Sequence, residues 1–580
     1  MKKIFLAFAL ISIFNFQFSR VDAQNEGTYN ESVLVRGSYR PVIEQSEKIN
    51  FPAVITDTMP AVERSFLYSI IPTRLRALYE PSRIKAARII GEPTTKLYNN
   101  YIRVGMGNYW SPLLDLYWSS TRDTKKTFGV RLNHRSSWSS ISDYGTNHFG
   151  VTGVTLFGKY IVKDLLQLSS DINFEHDHNL YYGFSDSTLG AVMPTLSRDD
   201  LELSSIRAKY NVLTWNIGLR NMELDANKLG YAANVRLSDL WASWEQNEFN
   251  LNVTGDIHYG FNIKDKYRGV AYMRVEWDGY SHAFEPDGEM PLGFKPATAD
   301  TLTGHRNIVK VNPYADFMFE GLMCHAGFTA GWDAFSTDHG TIFRFFPDVV
   351  VSKKLLEDNL ALSLGATGGI DANNWNIIRQ VNPYVVPGAE QRATRHYDFA
   401  AHARWTLSKK LEANAEVSYS LLLDDLNFAL DTNYSLSNVF RTHYLDNNRL
   451  TIGASLSFVN DEMLQLVAAA HYYHYNLTGN DSVMLYRPDW DVLFSANLNY
   501  EDRWLFRLET RLLGKVQADN GEELPTRFGV NAQVEYRHNR ALSFFLKMDN
   551  LAFQRQFYWA HYPSQRALFL LGLTYTSPHK

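Results

Sequence analysis

The sequence predicts an all-β fold, a transmembrane antiparallel β-barrel of the outer-membrane type with about 22 strands, in a range of roughly 18 to 22. Three observations predict it. Apolar and polar residues alternate along most of the chain after residue 97, and aromatic residues make up 14% of the chain. An export leader is followed by no apolar run of the roughly 18 to 20 residues that a spanning helix needs.

The clearest hairpin lies at residues 397–421. Its odd positions are apolar from Tyr397 to Leu407, its even positions are mostly polar, and Ser408 begins the turn. The return leg repeats the alternation up to Leu421. Because successive side chains of a strand point to opposite faces, one face of this ribbon is apolar and the other polar. Such a sheet, repeated over hundreds of residues, closes most naturally into a barrel in lipid.

The N-terminus predicts export to the periplasm, the outer membrane or the medium, and the barrel pattern then favours the cell outer membrane of a Gram-negative cell. Lys2 and Lys3 precede an apolar run at 4–18, and Ala23 offers a Sec-type cleavage point, so residues 1–23 form a signal peptide. Residues 24–97 carry frequent prolines, which disfavour long helices and central strands. We expect a short, mostly extended periplasmic or lumenal segment there, followed by the barrel at 98–580.

Connection lengths predict the orientation of the barrel. Tight charged turns, such as those at 408–410 and 501–503, alternate with longer polar connections, such as 182–200 and 371–395. Outer-membrane barrels have short periplasmic turns and long extracellular loops, so we expect an even strand number with both termini in the periplasm. The alternative fold is a soluble all-β protein, but the sequence shows neither blade repeats nor a composition break after residue 100.

Composition excludes several classes of function. The single cysteine, Cys324, rules out an intramolecular disulfide framework. A net charge of -5 gives no reason to expect nucleic acid as a partner. No local catalytic signature occurs in the sequence, which predicts a protein that is not an enzyme and needs no cofactor.

The C-terminal region resembles TonB-dependent receptors. Residues 528–536, 542–550 and 568–575 look like the last three barrel strands of that family, with its "NL" at Asn550 and Leu551 and its "YP" at Tyr562 and Pro563. The family usually ends on an aromatic residue, whereas this chain continues to Lys580.

The stretch SVLVRGSYRP at 32–41 resembles the start of the plug domain in the same family. The segment before the barrel is too short for a full plug, so the chain resembles a plugless relative of Bacteroidota type. The resemblance implies outer-membrane lipid as surroundings and a TonB-type energy transducer or an assembly complex as protein partner. Its candidate contact residues are Val33, Val35, Arg36, Tyr39 and Arg40.

Charged residues on the polar faces are the candidate ligand-binding residues of the lumen. Two strands carry them, with Arg268, Arg274 and Glu276 on one and Arg507, Glu509 and Arg511 on the other. They could bind an anionic or sugar-like solute or hold the N-terminal segment. The simpler interpretation, which we favour, is that they solvate the lumen and pair across strands.

Two histidines at alternate positions raise a metal hypothesis. His176 and His178 share a face of an extended strand, so both could meet one ion. No third ligand can be named, and an exposed histidine pair is the commoner outcome, so we predict no metal site.

Two functional hypotheses remain. The first is a TonB-dependent receptor-like barrel for uptake or passage of a solute across the outer membrane. The alternative is a non-transporting barrel, serving as a subunit or scaffold of an outer-membrane assembly or export complex.

Overall fold

The computed structural model describes residues 98–578, apart from 121–122, 124, 196, 198–200, 223–227, 264–266, 286–301, 336–340, 432–435, 437, 461–462, 480–482 and 519–520. Twenty-two strands of this part of the chain form one sheet, in which every neighbouring pair is antiparallel. The predicted transmembrane barrel is confirmed, with 22 strands. The predicted leader and the segment 24–97 lie outside the described residues.

The strands follow the chain in order around the barrel. The barrel strands are β1 (Tyr98–Gly107), β2 (Ser111–Ser119), β3 (Lys126–Ser137), β6 (Phe149–Val162), β7 (Leu166–Leu180), β8 (Arg207–Asn221), β9 (Gly230–Ala242), β10 (Gln246–Ile263), β11 (Tyr267–Phe284), β12 (Leu302–Phe319), β13 (Leu322–Phe335), β14 (Thr341–Leu355), β15 (Leu360–Ala372), β16 (Ala393–Ser408), β17 (Leu411–Leu430), β18 (Phe440–Asn460), β19 (Leu464–Thr478), β20 (Trp490–Tyr500), β21 (Trp504–Leu513), β24 (Arg527–Arg537), β25 (Leu542–Asp549) and β28 (Leu568–Pro578). Short hairpins in the loops are β4 (Ser140–Ile141) with β5 (Gly145–Thr146), β22 (Val516–Gln517) with β23 (Glu523–Leu524), and β26 (Phe557–Trp559) with β27 (Tyr562–Pro563).

The first and last strands close the ring. β1 pairs with β28 from Tyr98 opposite Pro578 to Gly107 opposite Leu570. Gly572 of β28 lies opposite Gly105 of β1. A Cβ on Gly572 would lie 2.2 Å from the carbonyl oxygen of Val104 and 2.4 Å from the ring of Phe545. Only glycine fits this close approach of two backbones, so closure depends on the absence of a side chain there.

The two faces of the wall differ as the alternation predicts. In β11, Met273, Val275 and Trp277 are exposed apolar side chains, whereas the polar Arg274 and Glu276 between them are half-buried. The same alternation recurs in the other barrel strands, where Leu364, Phe399 and Leu571, for example, are exposed. The apolar face therefore points to lipid and the polar face lines the lumen.

The two ends of the barrel differ in their connections. At one end, here called the turn end, the connections are short, such as Glu320 and Gly321, which have the positive φ angles of a tight hairpin turn. At the other end, the loop end, residues 181–206, 373–392 and 550–567 form long connections. The predicted alternation holds except at 108–110 and 243–245, which are three-residue connections at the loop end. The membrane side that each end faces stays a prediction.

Some barrel strands are longer than is needed to cross a membrane. β17 has 20 residues and β18 has 21, whereas a tilted strand crosses the hydrocarbon with about 9 to 11. The last six residues of β17 are buried, because loops cover them at the loop end. The tall walls therefore extend past the lipid at that end.

One interruption breaks the wall at the loop end. The ladder between β14 and β15 stops at Asp348 opposite Thr367, so residues 341–347 of β14 and 368–372 of β15 pair only with their other neighbours. The first residue beyond the ladder is Pro347, which has no backbone N–H to donate. We call this interruption the rim seam. Phe346, Ile370 and Tyr397 pack together beside it.

Two short α-helices, α1 (Asp186–Val192) and α2 (Trp375–Val381), lie in the loops of the described chain. None of the helices in the described ranges is long and apolar enough to cross a membrane. The sequence reading placed plain loops at 182–200 and 371–395 and missed both helices.

Candidate functional site

The loops of the loop end pack against one another into a second hydrophobic core, here called the loop cap. It takes in residues from 181–206, 373–392, 479–489, 514–526 and 550–567, together with the buried tops of several strands. Its buried side chains include Tyr181, Phe184, Leu189, Trp375, Ile378, Val385, Phe440, Tyr486, Trp559 and Tyr562. A β-barrel has no core of its own along its axis, so this cluster is the main apolar interior of the molecule.

Three tyrosines from three different loops meet in the loop cap, and we call them the tyrosine cluster. The rings of Tyr384 and Tyr562 are stacked, with centroids 3.4 Å apart and planes inclined by 12°. Tyr182 meets Tyr562 edge-on at 5.1 Å and Tyr384 edge-on at 6.2 Å. Edge-to-face and stacked aromatic contacts add to the free energy that burial alone supplies.

The loops that supply the tyrosine cluster are spaced almost evenly around the ring. They follow β7, β15 and β25, which are the fifth, thirteenth and twenty-first barrel strands in chain order. Going around the ring of 22, the loops are therefore separated by eight, eight and six strands. The tyrosine cluster therefore lies at the loop end of the barrel, where it links loops that start from three separate parts of the wall.

Hydrogen bonds between the loops fix the tyrosine cluster in place. The Tyr181 hydroxyl donates to the Val385 carbonyl at 2.7 Å, and the Tyr182 hydroxyl donates to the Pro563 carbonyl at 2.9 Å. The Tyr562 hydroxyl donates to the carbonyl of Asn438 at 2.5 Å. Burial raises the pKa of Tyr182 to about 12, so its hydroxyl keeps its proton at physiological pH.

Helix α2 is fastened to the wall at both ends. The buried carboxylate of Glu248, on β10, accepts hydrogen bonds from the backbone N–H of Trp375 at 2.5 Å and from that of Asn376 at 3.3 Å. These N–H groups lie in the first turn of the helix, where they have no partner within the helix itself. Near the helix end, Arg379 donates to Asp177 of β7 at 2.6 Å. The helix thus spans between two separate walls of the barrel.

The connection 550–567 is anchored by Asn550. Its backbone is left-handed, with φ 54°, and its side-chain amide donates to the carbonyl of Gln554 at 2.8 Å and that of Arg566. Asparagine tolerates this backbone conformation better than most residues. Farther along, the amide of Gln565 donates to the hydroxyl of Ser137 at 2.8 Å and that of Ser139 at 2.6 Å. These bonds hold the loop over the mouth.

A buried ion pair ties another loop to the wall. Arg487, in 479–489, donates to the two carboxylate oxygens of Asp425 at 2.7 and 3.1 Å. Burial lowers the pKa of this guanidinium, but the adjacent Asp425 carboxylate outweighs burial and the net pKa is raised. The pair therefore stays charged, and truncating either partner would leave a buried charge unpaired.

The charged residues predicted for the lumen lie on its polar face. Arg274 donates to Asp256 at 2.6 Å, and Glu276 accepts from Asn252 at 3.1 Å and from Lys310 at 3.4 Å. Both residues therefore pair with neighbouring strands, while Arg268 is exposed near the turn end. Their role in ligand binding stays a prediction.

The second predicted group does not meet the first. Arg507, Glu509 and Arg511 lie on β21, the nineteenth strand of the ring, whereas the first group lies on β11, the ninth. The two groups therefore face each other from opposite walls. Arg507 donates to Asn497 of the neighbouring strand at 3.0 Å.

The two histidines of the metal hypothesis share a face, with ring centroids 6.1 Å apart. The Nδ1 atom of His176 is hydrogen-bonded to Asn211 at 2.8 Å, which occupies one of its two nitrogens. Across the described ranges, no group of three or more His, Cys, Asp or Glu side chains could hold a metal ion. The predicted partner contacts Val33, Val35, Arg36, Tyr39 and Arg40 lie outside the described residues.

The tyrosine cluster is the part of the site that the sequence reading missed. The sequence alone predicts these connections only as long polar loops. The available signal was aromatic density inside those loops, as in Tyr181, Tyr182 and Phe184 after β7. Aromatic residues in a connection predict burial of that connection, because an exposed loop gains nothing from them.

In comparisons with known proteins, no protein-family model and no curated protein matches the sequence. Solved structures match the fold. The ferric-catecholate import receptor Fiu from E. coli K12 matches with a TM-score of 0.60 and 11% identity, over 83% of this chain and 82% of the receptor. The siderophore receptor PirA from Acinetobacter baumannii matches with a TM-score of 0.61 and 10% identity, over 84% and 81%.

The pyoverdine outer membrane receptor FpvA from Pseudomonas aeruginosa PAO1, bound to pyoverdine, also matches. Its TM-score is 0.61 at 10% identity, over 83% of this chain and 79% of the receptor. At such low identity the likeness concerns the fold alone. The 22-stranded barrel of this chain therefore has the fold of these outer-membrane receptors.

Proposed function

We propose that this protein is a receptor-like barrel of the outer membrane that mediates uptake or passage of a solute, with its loop end outside the cell. The observation that carries the proposal is the loop cap: the barrel is a closed ring of strands, and the described loops of its loop end pack together into one apolar cluster. Receptors that admit a chosen solute need such a closed mouth, because an open lumen would leak.

The loop cap can open without damage to the wall. The tyrosine cluster belongs to connections, so separating its members breaks no pairing between barrel strands. The loops are held by side-chain packing and hydrogen bonds, not by continuous ladders, so they can separate while the ladders of the wall persist. Opening therefore leaves the barrel folded.

The remaining parts of the proposal come from the sequence and from the solved neighbours. Among the structural neighbours, Fiu is a ferric-catecholate import receptor and PirA is a siderophore receptor, which supports uptake as the direction of transport. A TonB-type energy transducer would bind the N-terminal segment at Val33, Val35, Arg36, Tyr39 and Arg40. We also propose cleavage of the leader near Ala23 and a plugless architecture of Bacteroidota type.

The second candidate function is a non-transporting scaffold of an outer-membrane assembly or export complex. The observation that favours it is the charge pairing of the lumen, in which Arg274 already binds Asp256 and Glu276 already binds Lys310. A wall whose charges satisfy one another presents less to a passing solute.

Reconstitution into liposomes separates the two functions. The purified full chain should show low flux of small neutral solutes, and Tyr384→Ala should raise that flux, because it removes one member of the tyrosine cluster. Gln380→Ala, an exposed side chain of α2 in the same connection, serves as a matched control with no expected gain in flux. Stoichiometric protein partners on purification in mild detergent, with no flux even in Tyr384→Ala, would reject transport and leave the scaffold.

A further inference from the structure

The two sides of the rim seam overlap instead of meeting edge to edge. Ile370 of β15 alternates onto the same outer face as the exposed Leu364, whereas Gly331 of β13 alternates with the exposed Trp332 and lies on the inner face. A Cβ on Gly331 would nevertheless lie 2.7 Å from the Cδ1 atom of Ile370. The upper part of β15 therefore lies on the lumenal side of β13 and β14.

A second contact shows the same overlap. Tyr397 of β16 shares the outer face with the exposed Phe399, whereas Phe346 of β14 alternates with the exposed Phe345 and points inwards. The rings of Tyr397 and Phe346 are nevertheless packed, with centroids 5.0 Å apart. At the rim seam the wall therefore has two layers, an outer layer of β13 and β14 and an inner layer of β15 and β16.

The overlap begins near the upper edge of the lipid. Phe346 lies nine residues from Leu355, the turn-end residue of β14. At about 3.3 Å per residue and a tilt of about 40°, this stretch rises roughly 23 Å, close to the roughly 25 Å height of the apolar band of such barrels. The exposed Phe343 and Phe345 lie at this level, as the aromatic residues of a membrane interface do. The free edge of β14 therefore borders the lipid.

Side chains hold the two layers together in place of a ladder. The hydroxyl of Tyr397 donates to the carbonyl of Phe345 at 3.3 Å, and Arg306 of β12 donates to the carbonyl of Gln391 at 3.3 Å. Barrels normally avoid an open strand edge at lipid depth, because its backbone groups find no partners there. Separating the layers breaks none of the ladders between barrel strands, so the seam can part while the rest of the wall stays paired.

A pocket with a volume of about 160 Å³ lies between the two layers. Phe335 of β13 and Ile342 of β14 line it from the inner face of the outer layer. Arg395 lines it from the outer face of the inner layer, since it alternates onto the same face as Tyr397. The pocket is therefore inside the wall, next to the free edge of β14.

The surface that the pocket offers is mainly apolar. Its charged groups bind one another, with Arg306 donating to Asp333 at 2.6 Å and Arg395 donating to Asp424. What remains for a ligand is the surface of the two apolar side chains and the carbon stems of the arginines. The pocket thus suits a hydrocarbon chain better than a polar molecule.

We propose that the rim seam parts sideways and admits the acyl chain of a membrane lipid, whose end fills the pocket between the two layers. The gap beside the free edge of β14 continues the lipid-facing surface into the wall, so a lipid is the occupant that reaches it first. An apolar cavity of about 150 Å³ takes up benzene, so the pocket holds roughly the last six carbons of a chain. The inference concerns the wall and holds whether or not the barrel transports a solute.

Photolabelling in a bilayer tests this proposal. The full chain is reconstituted into phosphatidylcholine vesicles containing a phosphatidylcholine with a diazirine near the end of one acyl chain, and labelled residues are mapped by mass spectrometry. Phe343 and Phe399 should be labelled, because they face lipid. Phe335 and Ile342 should be labelled as well, because the chain enters the pocket. Tyr272, on the inner face of β11, should stay unlabelled.

A disulfide across the rim seam provides the matched control. A Cβ on Gly331 would lie 3.3 Å from the Cγ1 atom of Ile370, which a cysteine sulfur would replace, so Gly331→Cys with Ile370→Cys can form a disulfide. Cys324→Ser removes the natural thiol. Oxidation should lower the labelling of the pocket residues by about tenfold, because a covalent bond then holds the layers together. Labelling of the outer face should stay unchanged, and reduction should restore the pocket signal.

Ile342→Trp provides a second variant in case the double cysteine protein does not fold. The larger side chain fills the pocket, so labelling of Phe335 should fall while the heat-modifiable gel mobility of the barrel persists. Wild-type protein that is labelled on its outer face alone would overturn the proposal. Equal pocket labelling in the oxidised and reduced forms, or equal labelling of Tyr272 and the pocket, would overturn it as well, because the lipid would then arrive by another path.

Discussion

Replacing Tyr562 by alanine is expected to open the mouth while the barrel stays folded. The ring of Tyr562 stacks on Tyr384 and meets Tyr182 edge-on, and its hydroxyl donates to the carbonyl of Asn438. Tyr562 thus connects its own loop with the loops that carry Tyr182, Tyr384 and Asn438. It takes part in none of the ladders between barrel strands, so its loss leaves the wall intact.

The magnitude follows from burial. Truncating a fully packed aromatic ring to alanine costs about 3–5 kcal/mol, and loss of the hydroxyl bond adds about 1 kcal/mol. Tyr562 is 3% exposed, so the full range applies. Every 1.4 kcal/mol is about a tenfold change in population, so the open state should become more populated by roughly two to four orders of magnitude.

Conductance across planar lipid bilayers measures this change. Wild-type protein should conduct in rare events, and Tyr562→Ala should conduct for a large fraction of the time. Tyr562→Phe is the matched control, because it keeps the ring and loses about 1 kcal/mol, which corresponds to a gain of about fivefold. If Tyr562→Ala runs as a folded, heat-modifiable barrel and conducts no more than the wild type, the tyrosine cluster does not hold the mouth shut.

Three further changes test the anchors of the loop cap. Glu248→Gln should weaken the start of α2 by about 1–2 kcal/mol and speed hydrogen exchange there, because a neutral amide accepts weaker bonds than a carboxylate. Asn550→Ala should lower the free energy of opening of its loop by about 2–3 kcal/mol, because the side-chain hydrogen bonds are lost and alanine strains a left-handed backbone. Hydrogen exchange should therefore become faster throughout that loop. Raising the pH from about 10 towards 12 should loosen the loop cap around Tyr182, as tyrosinate absorbance and exchange rates would show together.

The sign of the pH effect follows from the raised pKa. An unfolded tyrosine loses its proton near pH 10, whereas Tyr182 in the loop cap keeps it up to a pKa of about 12. Between these values the open state binds fewer protons, so the closed state loses stability as pH rises. Tyr182→Phe should remove this part of the pH dependence.

For Asn550, the Asn550→Gly variant separates the loss of the side chain from backbone strain. Equal hydrogen-exchange rates in Asn550→Ala and Asn550→Gly would rule the strain out.

The wall of the barrel was predictable because its signal is local. In 397–421 the alternation fixes which residues share a face, and the structure pairs the two legs with Tyr397 opposite Leu421. The common face of Arg274 and Glu276 follows from the same period of two. Their ion-pair partners, Asp256 and Lys310, could not be predicted from this period, because the pairing depends on the register between neighbouring strands.

The loop cap was not predictable because its contacts are distant in sequence. Tyr181 meets Val385 across 204 residues, and Tyr182 meets Pro563 across 381. No periodic pattern reports such pairs. Asn550 and Tyr562 stood out only through a family resemblance, which gave no indication that Asn550 orders a loop and that Tyr562 belongs to the tyrosine cluster.

The even spacing of the three loops has a consequence for how the chain can change. Each of the three loops must reach the tyrosine cluster from its own part of the barrel wall. An insertion or deletion in one loop therefore misplaces its tyrosine relative to the other two. Sequence drift should therefore keep the lengths of the connections after β7, β15 and β25 together. A set of homologous sequences would show this as three loop lengths inherited as a unit.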